Sequence, residues 1–428
     1  MQLGTAFTLP RDIDADLDHW LEPFLDATGR RTRRKMAPLY VRGLLGSGGR
    51  KSIQPMAERL GLSGHDQLHH FISSPAWDDA PLWRVLAEQV DRQVGGEGGV
   101  LVVDDSGLPK KGELSVGVAR QYCGELGKVA NCQVLVSLTL ARDEVPLPVG
   151  LRLFLPAAWT DDPERCEAAG VPAAARTAQS KPAIALAAID RVREAGLRFS
   201  CVLADAGFGS SPVFRHGLDE RELTWAGGIA CTQLVYPTTV KLRPARTPGG
   251  RPAKHPLPSR APLSAAEMLA RQRWHRITWR NGTKGPLSAR FAAVRVRVAD
   301  GPLNAAGIRL PGEELWLIGE WRDSGETKYY LSNLPKQTSL RRLAATVKAR
   351  WSCEQVHQQL KQGRAAKRID GLGDFEGRSW TGLHRHALMT CIAFAYLQHR
   401  RLKAAGRGEK GGPQPAAAAA LAACTLSA

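Results

Sequence analysis

With 428 residues, the chain is long enough for a large core and two or three domains. Its 59 Lys+Arg against 41 Asp+Glu leave a net charge of +18 and a pI near 9.9, a surplus that favours a polyanionic partner, most often nucleic acid. No apolar run long enough to span a bilayer and no lipidation motif are present, so no membrane partner is expected. The start MQLGTAFTLPRDID lacks a secretory signal pattern, and eight scattered cysteines form no CxxC. A reducing cytoplasm is therefore expected, without a zinc knuckle or a disulfide frame.

Residues 1–95 read as helical, with helix-spaced apolar residues over Asp14–Leu25, Met36–Leu45, Ser52–Leu60 and Ser63–Ser73. The run RRTRRK at 30–35 holds five cations in six positions, a pattern that beside helices serves as a phosphate anchor or as plain solvated surface. SIQPMAERLGLSGHDQLHHF has the length and Gly-containing turn of a helix-turn-helix. His65, His69 and His70 within it read as ordinary helix residues. VGGEGG at 94–99 reads as a linker.

VLVVDDSGLPKK at 100–111 is the stretch around which the remaining chain is organised. An apolar run leads into Asp104 and Asp105, and Ser106, Gly107 and Pro109 are expected to stop the strand. Carboxylates at the end of a buried strand repel unless a cation sits between them, and a divalent metal suits their hard oxygens. CQVLVSLTLA and PLPVGLRLFLP read as two further strands joined by a turn at Arg142–Val145, Asp161–Arg176 as loop, and Lys181–Gly196 as an amphipathic helix. FSCVLADAGFGSS then repeats the strand-then-acid pattern at Asp205, and Leu223–Ala230 forms a fifth strand.

Residues 231–325 change character: 241–290 contains twelve Lys/Arg and one acid, Glu267. Within RWHRITWRNGTKGPLSARFAAVRVRV, Trp274, Trp279 and Phe291 interleave with Arg273, Arg276, Arg280 and Lys284. Cations and aromatic faces suit a bound nucleic acid, including a base drawn out of the stack. A core role for Trp274 is an equal alternative, whereas Trp316 and Trp321 read as core. YYLSNLP returns to a strand, and Ser339 caps a helix running to about Gln362 that places Arg350, Glu354 and Lys361 on one face. Trp380–Leu402 is a second, strongly apolar helix. The Ala/Gly-rich tail after it reads as disordered.

Three acids thus stand in order: Asp104/Asp105 on a first strand, Asp205 on a later one, and Glu354 on a helix beyond an insertion. The chain resembles the DDE transposases of bacterial insertion sequences, through VVDDSGLPKKGELSVGVARQYCGELGKVANCQVLVSL, VLADAGFG, TWRNGTKGPLSARFAAVRV, YYLSNLP, RWSCEQVHQQLK and FEGRSWTGLHRHALM. Arg350, Glu354 and Lys361 match the family's Tyr-Arg-Glu-Lys signature, with Val347 where its tyrosine stands. After Lys361 this chain runs through KQGRAAKRIDGLGDFEGRSW, longer and more basic than in similar proteins.

The resemblance implies an α/β fold: a ribonuclease H-like catalytic core with an all-helical N-terminal domain and a β-rich insertion. The corresponding segments are 1–95 (helical, DNA-binding), 96–230 (core, first part), 231–325 (basic insertion), 326–403 (core, second part) and 404–428 (disordered tail). It also implies a DNA endonuclease and strand transferase, nucleoid-associated in a bacterial cytoplasm. Asp105, Asp205 and Glu354 would bind two Mg2+ or Mn2+ ions. The first acid is placed at Asp105 because similar proteins have it just before Ser or Thr, and Asp104 is the alternative. Arg350, Lys361, Trp279, Arg280, Lys284, Lys110 and Lys111 are the expected DNA contacts. The partner is double-stranded DNA, as terminal inverted repeats and target, and a dimer is expected in the DNA complex. A catalytically inactive domesticated DNA-binding protein and a structure-specific nuclease on the same fold are the rival readings.

Overall fold

The computed structural model describes residues 11–46, 49–143, 145–243, 256–282, 285–304, 307–361 and 371–406. It comprises two compact units, Met1–Ser200 with Trp351–Ala428, and Cys201–Arg350. The architecture is mixed α/β.

The first unit opens with five helices: α1 (Arg11–Thr28), α2 (Arg31–Leu45), α3 (Ile53–Arg59), α4 (Asp66–Ser73) and α5 (Ala80–Val94). Their apolar stripes supply the buried Leu17, Leu21 and Phe24, Tyr40 and Leu44, Leu68, Leu82 and Leu86. The basic run forms the first turn of α2, where no acid offsets it and where the helix dipole is itself positive. Two of its cations are held locally, Arg33 donating to the Ala76 carbonyl at 2.6 Å and Arg34 to Asp26 at 2.9 Å.

Next come β1 (Val100–Pro109), β2 (Ala119–Cys123), β3 (Lys128–Arg142) and β4 (Val145–Phe154). The long β3 pairs antiparallel with each of the other three. The first strand does not stop at Ser106 as expected. It continues to Pro109 because β3 supplies partners throughout, Ser106↔Leu135 to Pro109↔Cys132, and the ladder overrides local turn propensity. Gly107 is a packing residue here: a Cβ would lie 2.7 Å from the Cys123 sulfur.

A short helix α6 (Ala157–Thr160) follows β4, and the segment expected to be loop, Asp161–Arg176, holds a second, α7 (Pro163–Ala168). The second starts where Asp162 accepts the Arg165 N–H and Pro163 occupies the first turn. Helix α8 (Lys181–Glu194) is capped by Ser180, and Gly196 follows its end at φ +81°.

The second unit holds β5 (Cys201–Ala204), α9 (Ala206–Gly209), α10 (Pro212–Asp219), β6 (Trp225–Ile229), β7 (Leu234–Pro237), β8 (Leu242–Arg243), β9 (Leu257–Pro258), β10 (Leu263–Ser264), α11 (Ala265–Ala270), β11 (His275–Gly282), β12 (Gly285–Val298), β13 (Glu314–Trp321), β14 (Thr327–Ser332) and α12 (Leu340–Ala349). β5 and β6 are parallel. From β6 the sheet continues antiparallel through β14, β13, β12 and β7 to β10, with β11 on β12. Trp321, expected in the core, is 41% exposed and stands edge-on to Trp274. Trp316 is half-buried, its indole N–H donating to Pro335. Leu315 and Leu317, on the face opposite Trp316, are buried, and Trp321, on their face, is the last residue of the strand.

The first unit resumes with α13 (Trp351–Lys361) and ends with α14 (Trp380–Ala404). The helix expected to run unbroken from Ser339 is two helices. At Arg350 the backbone N–H turns to the Lys348 carbonyl and the i→i−4 ladder lapses. Most of the KQGRAAKRID segment (362–370) and the tail from 407 lie outside the described residues.

Helix α14 buries two histidines. His386 receives the Tyr40 hydroxyl on Nδ1 at 2.8 Å while its Nε2–H donates to the Gly371 carbonyl. His384 donates from Nδ1 to the Trp380 carbonyl and accepts the Leu153 N–H. Burial pushes both down to about 4 from 6.5. Below pH 6.5 the unfolded chain takes up protons that the fold refuses, so stability falls as the pH falls towards 4. Urea denaturation from pH 7 to pH 5 should lose on the order of several kcal/mol, and His386→Gln should flatten the slope. A flat profile in the parent chain would show that these imidazoles titrate normally.

In the second unit, Gly209 of α9 lies against Gly227 and Gly228 of β6. A Cβ on Gly209 would sit 2.2 Å from the Gly228 oxygen. Because the obstruction is backbone, Gly209→Ala should cost about 1–3 kcal/mol, read as a lower urea midpoint with an unchanged slope.

Candidate active site

Asp104 and Asp105 are consecutive in β1, opposite Ser137 and Val136 of β3. The pleat therefore sends them to opposite faces of the strand pair. Asp105 faces α8, its Oδ2 accepting from the Lys181 ammonium at 2.6 Å, with the two side chains 36% and 32% exposed. The same ammonium lies 5.5 Å over the Phe154 ring. Helix α8 begins at Lys181, so the Ser180 cap decides where this cation stands.

Asp104 faces α13. One of its carboxylate oxygens, the Cys353 sulfur and a His357 ring nitrogen all lie within 4.8 Å of one another. Ser137 Oγ donates to the Asp104 backbone carbonyl at 3.1 Å and is hydrogen-bonded to His357 Nε2 at 2.9 Å. Cys353 Sγ meets Thr139 Oγ1 at 3.6 Å. Ser137 and Thr139 are two apart on β3, and Cys353 and His357 are four apart on α13, so one face of the strand meets one face of the helix. Val356 and Leu360 bury the rest of that contact. Glu354 is the next residue round the turn and is exposed. The helix presenting Glu354 thus packs on the side of Asp104, and Asp105 has Lys181.

Asp205, in the second unit, follows β5 and caps α9, its Oδ1 accepting the N–H groups of Gly207 and Phe208 at 3.0 and 3.2 Å. Arg350 caps the end of α12 in the same unit and does not share a helix with Glu354. Lys361 ends α13, and its side chain and Lys284 lie outside the described residues.

Lys111 is exposed, whereas Lys110 donates to the Phe375 carbonyl at 2.7 Å, and burial lowers its pKa. Trp279 occupies the bulge between Thr278 and Arg280, a feature that re-aims a side chain. It stands edge-on to Phe291 and carries the Lys348 ammonium 4.9 Å over its ring. Arg280 beside it is half-buried. Trp274 packs on Gly319, where a Cβ would meet its ring at 2.6 Å.

Sequence reasoning missed Lys181, Cys353 and His357. The last two carried a signal, the i, i+4 spacing that brings a thiol and an imidazole to one helical face. Lys181 carried none, because its partner lies 76 residues away.

A sequence profile for the family described as "DDE superfamily endonuclease" matches residues 23–286. A protein of Microchaete diplosiphon described as "Probable transposase for insertion sequence element IS701" is 30% identical over 187 residues, 44% of this chain and 46% of that one. The match thus spans about half the length of that relative. The solved structure titled "Cryo-EM structure of piggyBac transposase synaptic complex with hairpin DNA (SNHP)" aligns over 93% of this chain and 74% of that one, at 10% identity and a TM-score of 0.39, a likeness too remote to bear on fold or function. The profile covers well over half the chain and includes the strand bearing Asp104 and Asp105, and on that ground the chain belongs to the DDE superfamily endonuclease family.

Proposed function

We propose that this protein is a DDE transposase of the insertion-sequence type, cutting DNA at the element's ends and joining the freed 3′-OH ends to target DNA. The observation that carries this reading is the family match over residues 23–286, which encloses the paired acids of β1. In this reading 96–230 and 326–403 make a ribonuclease H-like core, 1–95 binds DNA, and 231–325 is a basic insertion. The partner is double-stranded DNA at terminal repeats and target, engaged by a dimer in the nucleoid of a bacterial cell. Among the described residues no helix is long and apolar enough to cross a membrane.

Membership of the family implies divalent-metal chemistry. We assign the ions to Asp105, Asp205 and Glu354, keep Asp104 as the alternative first acid, and take the metal to be two Mg2+ or Mn2+ ions. The donor chemistry suits such ions, because carboxylate oxygens are hard ligands: Glu354 is exposed on the helix that packs on the Asp104 side of β1, and Asp105, on the other face, meets the Lys181 ammonium, which a metal ion would displace. Two such ions supply activation of an attacking oxygen and stabilisation of a leaving one. The chain's own cations neutralise phosphate: Arg350, Lys361, Lys110, Lys111, Arg280 and Lys284. Trp279 holds a displaced base. Each step exchanges one phosphorus–oxygen bond for another, first with water and then with the 3′-OH, so no nucleophilic side chain is required.

The test is cleavage of a labelled duplex bearing the element's own end, with Mg2+, Mn2+ or EDTA. Metal-dependent nicking at the end, followed by transfer to a target duplex, is the expected result. Glu354→Gln should lower cleavage by three or more orders of magnitude while DNA affinity stays within a few-fold. Asp105→Asn should do the same, and Asp104→Asn alone doing so would move the first acid to Asp104. Cutting without strand transfer would identify a nuclease, and tight binding without cutting in any metal a domesticated binding protein.

A further inference from the structure

We propose that Asp104, Cys353 and His357 form a binding site for one zinc-class ion, separate from the carboxylate site assigned to Mg2+ or Mn2+. Three different donors meet at one point, a carboxylate from β1 and a thiol and an imidazole from a single face of α13, all within 4.8 Å of one another. The Cys353 sulfur is 3.8 Å from His357 Nε2. Zn–S and Zn–N bonds of about 2.3 and 2.0 Å at a tetrahedral angle place two such ligands roughly 3.5 Å apart. The helical pair therefore already stands at metal-binding separation, and Asp104 closes by a side-chain rotation.

Charge and softness select the ion. A thiolate and a carboxylate balance a doubly charged cation, and the cluster is half-buried to buried, where a neutral assembly costs least. Thiolate and imidazole favour Zn2+ over Mg2+, which demands oxygen ligands. Binding releases the Cys353 thiol proton to solvent and leaves the imidazole neutral, with its proton on Nδ1. Ser137 Oγ gives up its contact with His357 Nε2 and keeps the one to the Asp104 carbonyl. The fourth position falls to water, as in three-ligand zinc sites. The ion would tie α13, and with it Glu354, to β1.

The inference is independent of the transposase reading, because the full chain is titrated without DNA. With Co2+ as probe, the expected result is one ion per chain, a thiolate-to-metal charge-transfer band, and displacement by equimolar Zn2+ but not by excess Mg2+. Cys353→Ser should abolish that band, and His357→Gln and Asp104→Asn should each weaken Zn2+ at least tenfold while circular dichroism stays unchanged. A charge-transfer band that survives in Cys353→Ser, no thiolate band in the parent chain, or displacement by Mg2+ would overturn the proposal. So would affinity unchanged in both His357→Gln and Asp104→Asn.

Discussion

Ten consecutive residues of β1 pair with β3, from Val100↔Ala141 to Pro109↔Cys132, and that ladder sends Asp104 and Asp105 to opposite faces. Two adjacent carboxylates therefore meet two different environments. One receives an ammonium from the first residue of α8, and the other a thiol and an imidazole from α13. Like charges on neighbouring residues would otherwise repel in a half-buried setting. The pleat separates them, and each face then brings its own polar partners. The hydrogen bonds of Ser137 link the Asp104 carbonyl to His357, so the placement of α13 depends on the same register.

The excess of cations is not all surface available to a polyanion. In the second unit, Arg215 and Asp300 are almost wholly buried and pair at 2.8 Å. Glu320, also buried, would have a raised pKa from burial alone. Hydrogen bonds from Lys348, Tyr330 and Arg322 overcome that and hold it below the ordinary carboxylate value. In the first unit, Arg385 of α14 donates to the carbonyls of Ile72, Ser74 and Trp77 and stacks 3.9 Å over the Trp77 ring. These are structural cations, since a buried guanidinium must find acceptors. Lys110 is half-buried and donates to the Phe375 carbonyl, while Lys111 beside it faces solvent.

Where local pattern misled, a partner distant in sequence was the reason. Ser106, Gly107 and Pro109 have turn chemistry, yet β3 keeps them extended. Trp321 has a core residue's composition, yet it is the last residue of β13 and lies exposed at that end, edge-on to Trp274 and under the Arg290 guanidinium at 5.0 Å. Arg350 and Glu354 have the spacing of helical neighbours, yet the ladder lapses between them.

What the amino-acid order determined by itself was local. The helical stripes of residues 11–94, the strands flanking each aspartate and the cap at Ser339 follow from periodicity and from a side chain meeting a backbone group three residues away. The order of the acids and the motif blocks around them pointed to the family that the profile match bears out. Tertiary structure alone decided which acid faces which helix, that Lys181 rather than solvent meets Asp105, and that Cys353 and His357 meet Asp104. The physical reason is range: periodicity reports which residues share a face of one element, while the face presented to it is chosen by sheet register and helix packing across tens to hundreds of residues.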